Sequence, residues 1–182
     1  HYSGLAEVEP VAVRLKEKGY TVCLNLMQVS IRSRDELVDV ARTIDKWNAV
    51  DVFYLADSVG SLDPDALRDA VRCVRAVWSG SVGVHAHNNK GLALQNSLAA
   101  ITEGATWIDG TILGMGRGAG NAQTEYLLLE LNERGRMDFV PEQLFPLVMD
   151  DFDLLHQRYQ WGPSLLYYLS GRYGIHPTYV QE

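Results

Sequence analysis

The chain has 182 residues and a net charge of −7, and 47% of its residues are hydrophobic, enough for one substantial core. The acidic balance argues against nucleic-acid binding, and no apolar run approaches the ~18 residues of a membrane span. Cys23 and Cys73 lie in apolar runs, which predicts reduced thiols in the core of a cytoplasmic protein and no disulfide framework.

Predicted helices and strands alternate from the beginning of the chain. Residues 5–18 carry apolar side chains at helical spacing, and Gly19 is suited to end that helix. Residues 20–27 form a near-continuous apolar run, which predicts a strand buried on both faces. Ser33 and Glu36 then form a capping box, which predicts the start of a second helix.

The strand and helix unit repeats along the chain. Further strands are predicted at 50–56, 81–87 and 107–113, and Asp63 with Pro64 predicts a helix start between the first two. The strands begin about 26 to 31 residues apart, the length of one βα unit. Successive units predict parallel strands, either in a doubly wound sheet or in part of an eight-stranded barrel. In both architectures the chemistry lies at the C-terminal ends of the strands.

Residues 138–182 depart from this repeat and predict a C-terminal helical extension to a first domain at 1–137. Pro141 begins a helical stretch, residues 160–163 interrupt it, and an aromatic helical segment begins at Ser164. Such a segment either covers one end of a barrel or docks on a partner.

Two histidines share one face of the third predicted strand. His85 and His87 are two residues apart, so their side chains leave a strand on the same side. Two imidazoles on one face can hold a divalent metal ion and leave other coordination positions open. A structural role for both is the alternative, because two ligands alone do not complete a metal site.

The segment 114–121 places glycine at every second position up to Asn121. It follows a predicted strand and precedes a helix, but its spacing differs from the dinucleotide-binding fingerprint, which disfavours that function. One remaining hypothesis is a tight turn with positive φ angles and Asn121 as helix N-cap. The other is a nest of backbone N–H groups for an anion or substrate, with Arg117 at its edge.

Three carboxylate or hydroxyl side chains follow or lie within predicted strands. Asp57 and Ser58 are suited to bind a substrate carboxylate or a metal ion, or to cap the next loop by hydrogen bonds. Asp109 lies in an apolar strand, where a lone carboxylate is costly unless it is paired. We therefore expect Asp109 to face a hydrogen-bond partner or the interior of a barrel.

Three motifs resemble those of a known enzyme family. YLADSVG at 54–60, VGVHAHNN at 82–89 and the segment from IDG to GRGAGN at 108–121 are similar, in order and spacing, to the metal-dependent aldolase and lyase barrels. That family includes 4-hydroxy-2-oxovalerate aldolase, hydroxymethylglutaryl-CoA lyase, and the isopropylmalate and homocitrate synthases. The variant at 86–89 and the motif between Trp161 and Pro177 most resemble the aldolase branch.

The resemblance implies a TIM (β/α)8 barrel of which this chain supplies the C-terminal half, about four βα units. His1 and Tyr2 would end the preceding strand, and an opening without Met fits a piece of a longer chain. The absent first strand would carry an Arg-Asp-Gly motif, whose Asp completes the metal site and whose Arg holds the substrate. A half barrel exposes two sheet edges, so we expect self-association or pairing with the N-terminal half.

The resemblance also implies roles for individual residues of this chain. His85 and His87 match the metal-binding histidines, and Asn121 matches an asparagine that ligates metal in the lyases. Ser58, with Asp57 beside it, matches a hydroxyl that binds the substrate carboxylate.

The implied reaction breaks or forms a carbon–carbon bond of a 4-hydroxy-2-oxo acid, with pyruvate and an aldehyde as the cleavage products. Tyr167 falls near a C-terminal aromatic that closes the family's site and is the candidate catalytic residue. A divalent ion, Mn2+ or Mg2+ with Zn2+ or Co2+ as alternatives, would act as a Lewis acid on the 2-oxo acid. The general base would lie in the N-terminal half. A homo-oligomer is expected, and the C-terminal helices are candidates to dock an aldehyde dehydrogenase, as in some relatives.

Two alternatives stay open. An acyl-CoA-dependent isopropylmalate or homocitrate synthase has the same fold, although such enzymes usually carry a further C-terminal domain. A catalytically incomplete barrel fragment that binds metal poorly is the second. No nucleic acid and no membrane partner is expected in any of these cases.

Overall fold

The computed structural model describes residues 4–180, which contain four parallel strands and seven α-helices. The helices are α1 Leu5–Glu17, α2 Arg34–Asp45, α3 Pro64–Arg75, α4 Ala93–Thr102, α5 Thr124–Glu133, α6 Asp153–Tyr159 and α7 Leu165–Tyr173. The strands are β1 Cys23–Leu26, β2 Val52–Asp57, β3 Ser81–Ala86 and β4 Trp107–Ile108. They form one sheet in the order β1-β2-β3-β4, which confirms the predicted α/β class and its four βα units. The prediction that His1 and Tyr2 end a further strand lies outside the described residues.

Local hydrogen bonds fix the starts of α2 and α3. The Ser33 hydroxyl accepts a hydrogen bond from the Glu36 N–H, and the Glu36 carboxylate accepts one from the Ser33 N–H, so the capping box is confirmed. The Asp63 carboxylate accepts from the Ala66 N–H at 2.9 Å, with Pro64 at the first helical position. Both helices bury an apolar stripe: Leu37, Val40, Ala41 and Ile44 in α2, and Leu67, Ala70, Val71 and Val74 in α3.

The core lies between one face of the sheet and the helices α2, α3 and α4. Phe53 and Leu55 of β2 and Val84 of β3 point into it and are almost completely buried. The ring of Phe53 contacts Trp78 edge to face, with 6.1 Å between the ring centroids. Because strand residues alternate between the two faces, the residues between these lie on the opposite side of the sheet.

The opposite face of the sheet is only partly covered. Cys23 and Asn25 of β1 are exposed there, as is Met27 just beyond the strand. Tyr54 is buried because its ring lies over Gly83, where an added Cβ would stand 2.7 Å from ring atoms. The predicted burial of β1 on both faces is therefore wrong, because every second residue of the strand is exposed.

Neither cysteine is a core residue, contrary to the prediction. Cys23 is exposed and Cys73 is partly exposed, and both are free thiols. In β1, the side chains of Leu24 and Leu26 point toward the core. Because side chains alternate along a strand, Cys23 points away from it.

The strand β4 covers only Trp107 and Ile108 and so ends earlier than predicted. A 3-10 turn covers Ile112–Gly114, and the Leu113 N–H within it donates to the carboxylate of Glu125 at 3.1 Å. The helix α5 begins at Thr124 after the N-cap residue Gln123, so the hypothesis that Asn121 caps this helix is wrong.

The segment after residue 137 is helical and packs on the carboxyl ends of the strands. A 3-10 turn at Pro141–Leu144 and a π-helical turn at Leu147–Phe152 precede α6 and α7. In α7, a Cβ added at Gly171 would lie 3.0 Å from the Gly60 carbonyl oxygen and 3.0 Å from the Asn89 Cβ. Within residues 4–180, no helix combines the length and the hydrophobicity that a membrane-spanning segment requires.

Candidate metal centre

The structure brings the three predicted metal ligands together at the carboxyl end of β3. The rings of His85 and His87 lie edge to face, with centroids 5.1 Å apart and planes at 79°. His87 pairs with Asn121 in an isolated β-bridge, in which the Asn88 N–H donates to the Gly120 carbonyl at 2.9 Å. Residues far apart in sequence are thus neighbours at the end of the sheet where parallel α/β proteins place their chemistry.

His85 is anchored by a carboxylate. Its Nδ1 lies 2.9 Å from Oδ2 of Asp109, which is the partner that the sequence required for this aspartate. The hydrogen bond to His85 lowers the pKa of Asp109 in spite of partial burial, so the group is ionised at neutral pH. An ionised carboxylate only accepts, so Nδ1 is the donor and Nε2 is left to bind a metal ion. Burial, with Asp109 nearby, raises the pKa of Tyr54, which therefore keeps its phenolic proton.

His87 and Asn121 carry buried atoms that are suited to a cation. Burial, together with the nearby His85 and Arg117, lowers the pKa of His87 to about 4, so its imidazole is neutral at pH 7. Among residues 4–180, Nδ1 of His87 and Oδ1 of Asn121 are buried without a hydrogen-bond partner. A neutral imidazole nitrogen and an amide oxygen are both metal-ligand types, so these residues fit a divalent ion.

The described residues supply only part of a metal site. Within 4–180, no group of three or more His, Cys, Asp or Glu side chains could hold a metal ion together. The candidate centre therefore consists of two imidazoles and one amide oxygen, which leaves room for a further ligand from elsewhere.

The turn at 114–121 holds Asn121 through close backbone contacts. Gly114, Gly118 and Gly120 have φ angles of 64°, 62° and 77°, so the predicted tight turn with positive φ angles is confirmed. A Cβ added at Gly120 would overlap the Gly114 carbonyl oxygen, and the Asn121 N–H donates to that same carbonyl at 3.1 Å. One at Gly116 would lie 2.5 Å from the amide nitrogen of Asn121. Glycine is thus required where the backbone approaches itself and the candidate ligand.

Arg117 is exposed at the edge of this turn. Its Nη1 lies 3.4 Å from the Thr178 hydroxyl, so its side chain reaches the C-terminal segment. The hypothesis of an anion nest with Arg117 at its edge stays a prediction.

Asp57 and Ser58 both cap loops. Asp57 is 1% exposed, and its carboxylate accepts from the N–H groups of Ser61 and Leu62 at 3.1 and 2.9 Å. Burial raises the pKa of the Asp57 carboxyl in spite of these donors. The alternation of β2 turns Asp57 to the core side, where its carboxylate makes the loop-capping hydrogen bonds of the alternative hypothesis; its substrate-binding role stays a prediction. The Ser58 hydroxyl accepts from the Gln28 N–H at 3.0 Å, and its substrate-binding role stays a prediction.

Tyr167 of α7 lies against the glycine-rich turn. A Cβ added at Gly118 would lie 3.1 Å from its ring. Tyr167, Trp161 and Met115 are among the residues that line a cavity of about 380 Å³ beside the turn. The predicted catalytic tyrosine thus stands next to the segment that carries Asn121, and its catalytic role stays a prediction.

Two polar residues that the sequence did not single out are buried beside the centre. Asn89 and Ser170 are each 1% exposed, and the Asn89 amide donates to the Ser170 hydroxyl at 3.0 Å. Asn89 ends the motif at 82–89, but the sequence predicted no role for it. Its partner, 81 residues further along the chain, gave no signal of its own.

The depressed pKa of His87 predicts a pH-dependent stability. Between its ordinary pKa of 6.5 and its folded value of about 4, the unfolded chain binds a proton that the folded chain excludes. Lowering the pH from 7.0 to 5.5 should therefore destabilise the chain by about 1 kcal/mol through this group. Urea unfolding at both pH values, on the chain and on His87→Gln, measures the difference. An identical pH dependence in the two proteins would contradict the assignment.

Comparisons with known proteins match this geometry. The HMGL-like family model matches residues 4–150. The 4-hydroxy-2-oxovalerate aldolase of Brevibacillus brevis is 45% identical over 120 residues, which are 66% of this chain and 35% of that protein. The 4-hydroxy-2-oxovalerate aldolase 4 of Rhodococcus opacus is 41% identical over 133 residues, 73% of this chain and 38% of that protein.

Solved structures share the fold. The N-terminal domain of a proposed aldolase from Bacteroides vulgatus superposes with a TM-score of 0.87 at 33% identity, over 98% of this chain and 59% of that one. The HMG-CoA lyase of Brucella melitensis superposes with a TM-score of 0.73 at 20% identity, over 85% of this chain and 59% of that one.

The parallel sheet and the two similar solved structures define this chain as part of a parallel α/β barrel, as predicted. The chain belongs to the HMGL-like family. It spans 35% and 38% of the length of the two aldolases above, so a large part of their sequence has no counterpart in it.

Proposed function

We propose that this chain is the C-terminal half of a divalent-metal-dependent aldolase that cleaves a 4-hydroxy-2-oxo acid into pyruvate and an aldehyde. The observation that carries this proposal is the placement of His85, His87 and Asn121, with unpartnered ligand atoms, at the carboxyl end of a parallel sheet. The names of the curated relatives support an aldolase over an acyl-CoA-dependent synthase.

The metal would be held by the two imidazoles and the amide oxygen of Asn121. When bound, a divalent ion supplies Lewis acidity toward the ketone and carboxylate oxygens of a 2-oxo acid. The oxygen ligands suit Mn2+ or Mg2+, whereas the two imidazoles also suit Zn2+ or Co2+, so the ligand set leaves these four ions as candidates. The N-terminal half of the barrel would contribute the remaining carboxylate ligand.

This chain would contribute orientation to the reaction. In the cleavage direction the C3–C4 bond breaks, the C4 hydroxyl proton passes to a base, and the electron pair enters the enolate of pyruvate, which is then protonated at C3. Asp109 fixes the ring of His85, and Tyr167, whose ring lies against the glycine-rich turn, would close the site. Ser58 is the candidate for the substrate carboxylate, and the base would lie in the N-terminal half.

The uncovered surfaces support a partner. Within residues 4–180, β1 and β4 each lack a second strand neighbour, so their outer edges suit the strands of an N-terminal half, which would also cover exposed Cys23, Asn25 and Trp107. On the C-terminal helices, exposed apolar side chains support a further contact, with a second copy or with an aldehyde dehydrogenase: Leu154, Leu165 and Tyr173 are 64%, 73% and 68% exposed. In a half barrel without its partner, the site would lack ligands and catalyse nothing.

The test joins this chain to the N-terminal part of the Brevibacillus brevis aldolase, in place of the segment that it matches; we call this protein the completed barrel. We expect the completed barrel to release pyruvate from 4-hydroxy-2-oxovalerate with Mn2+, and we expect this release to stop when EDTA is added. The intact Brevibacillus brevis protein is the control for the assay. A folded completed barrel that releases no pyruvate with Mn2+, or that is indifferent to EDTA, would overturn the proposal.

A further inference from the structure

A buried amide joins α7 to the loop that follows β3. The Nδ2 of Asn89 donates to the Ser170 hydroxyl at 3.0 Å and lies 3.4 Å from the Tyr167 carbonyl oxygen. The Ser170 hydroxyl in turn donates to the Tyr167 carbonyl at 2.7 Å. Asn89 and Ser170 are each 1% exposed, so water does not replace these bonds.

Two glycines enclose the Asn89 side chain from different elements. A Cβ added at Gly60, in the loop after β2, would lie 2.6 Å from the Asn89 Oδ1. One at Gly171, in α7, would lie 3.0 Å from the Asn89 Cβ. The loop after β2, the loop after β3 and α7 therefore meet at van der Waals distance around this one amide, and their separation cannot vary without loss of packing.

The same helix carries Tyr167 to the glycine-rich turn. Tyr167 precedes Ser170 by three residues, so the two lie on adjacent turns of one helix face. The ring of Tyr167 meets the backbone at Gly118, three residues before the candidate ligand Asn121. The hydrogen bonds that join Asn89 to α7, which we call the Asn89 clamp, and the contact of Tyr167 with the turn therefore involve the same short helix.

We propose that Asn89 is a positioning residue that fixes α7, and through it the ring of Tyr167, over the turn that holds Asn121. Its hydrogen-bond direction is specific, because the Ser170 hydroxyl accepts from the Asn89 amide and donates to the Tyr167 carbonyl. An aspartate of the same shape cannot donate, so it would draw the hydroxyl proton away from Tyr167. The structural clamp is independent of the reaction; its effect on turnover rests on the proposed function.

The test follows Tyr167 directly by 19F NMR of the chain with its nine tyrosines replaced by 3-fluorotyrosine, the Tyr167 signal being assigned with Tyr167→Phe. We expect Asn89→Asp and Ser170→Ala to shift this signal toward that of an exposed fluorotyrosine. Ser170→Ala removes a single hydroxyl and keeps the test available if Asn89→Asp does not fold. The matched control is Asn96→Asp, because Asn96 is equally buried and its amide donates at 3.1 Å to the carbonyl of Leu62, which is not part of α7.

A Tyr167 signal that is unchanged in both variants, or that moves as far in Asn96→Asp, would overturn the clamp. In the completed barrel we expect Asn89→Asp to lower kcat about 10-fold with a smaller change in KM, because a misplaced group costs turnover more than binding. A shifted signal with unchanged kcat would uphold the clamp and count against a role of Tyr167 in the reaction, which separates the two proposals.

Discussion

His85→Ala and His87→Ala, each made in the completed barrel, are expected to weaken Mn2+ binding by about 100-fold or more. Loss of a group that only hydrogen-bonds to a metal ligand lowers metal affinity about 10- to 100-fold, and each of these substitutions removes a proposed ligand itself. The two rings lie edge to face with centroids 5.1 Å apart, so both are candidates to bind the same ion. The lowered pKa of His87 keeps its ring unprotonated and able to bind a cation at neutral pH.

Isothermal titration calorimetry with MnCl2 measures this loss without any assay of activity. The control is His156→Ala, because the imidazole of His156 bonds to the Trp161 carbonyl at 2.8 Å and lies outside the candidate centre. We expect His156→Ala to keep the parent's affinity. Full affinity in His85→Ala or in His87→Ala would remove that residue from the metal site.

Gly120→Ala is expected to lower the free energy of unfolding of the chain by about 3 kcal/mol. Gly120 has a φ of 77°, and an added Cβ would overlap the carbonyl oxygen of Gly114. That carbonyl also accepts the Asn121 N–H at 3.1 Å, so relief of the overlap would displace the candidate ligand. In the completed barrel, Mn2+ affinity should fall together with stability.

Gly135→Ala is the matched control for this substitution. Gly135 has a φ of 61°, and an added Cβ would meet no atom within 4 Å. Its substitution should cost only the left-handed backbone, about 1 kcal/mol. Urea unfolding of both variants therefore isolates the close approach at Gly120, and equal losses in the two would contradict it.

Local chemistry explains why much of the fold was predictable. The capping box of Ser33 and Glu36 and the N-cap at Asp63 depend on residues three apart, so the sequence contains the whole interaction. The spacing of the strands follows from the length of a βα unit, and His85 and His87 share a side because strand geometry requires it.

Interactions between distant segments explain what was missed. The prediction that β1 is buried on both faces rested on an apolar run, but such a run does not show whether another segment covers the second face of the strand. Asp57 was predicted to bind substrate or to cap a loop from its place at the end of β2, and only the structure shows that Ser61 and Leu62 donate to its buried carboxylate. The clamp of Asn89 on Ser170 joins residues 81 positions apart, and only the folded chain brings them together.

In the proposed function, enolisation of pyruvate by the completed barrel is the step that would depend most directly on a metal ion held by His85 and His87. Incubation with pyruvate and Mn2+ in D2O, followed by 1H NMR of the methyl signal, measures this step without knowledge of the aldehyde. We predict that the methyl signal of pyruvate decays with the completed barrel and Mn2+ and persists when EDTA is added. It should also persist with Mn2+ in His85→Ala and in His87→Ala. A methyl signal that persists with a folded, Mn2+-loaded completed barrel, or that decays equally in both histidine variants, would contradict the proposed aldolase site.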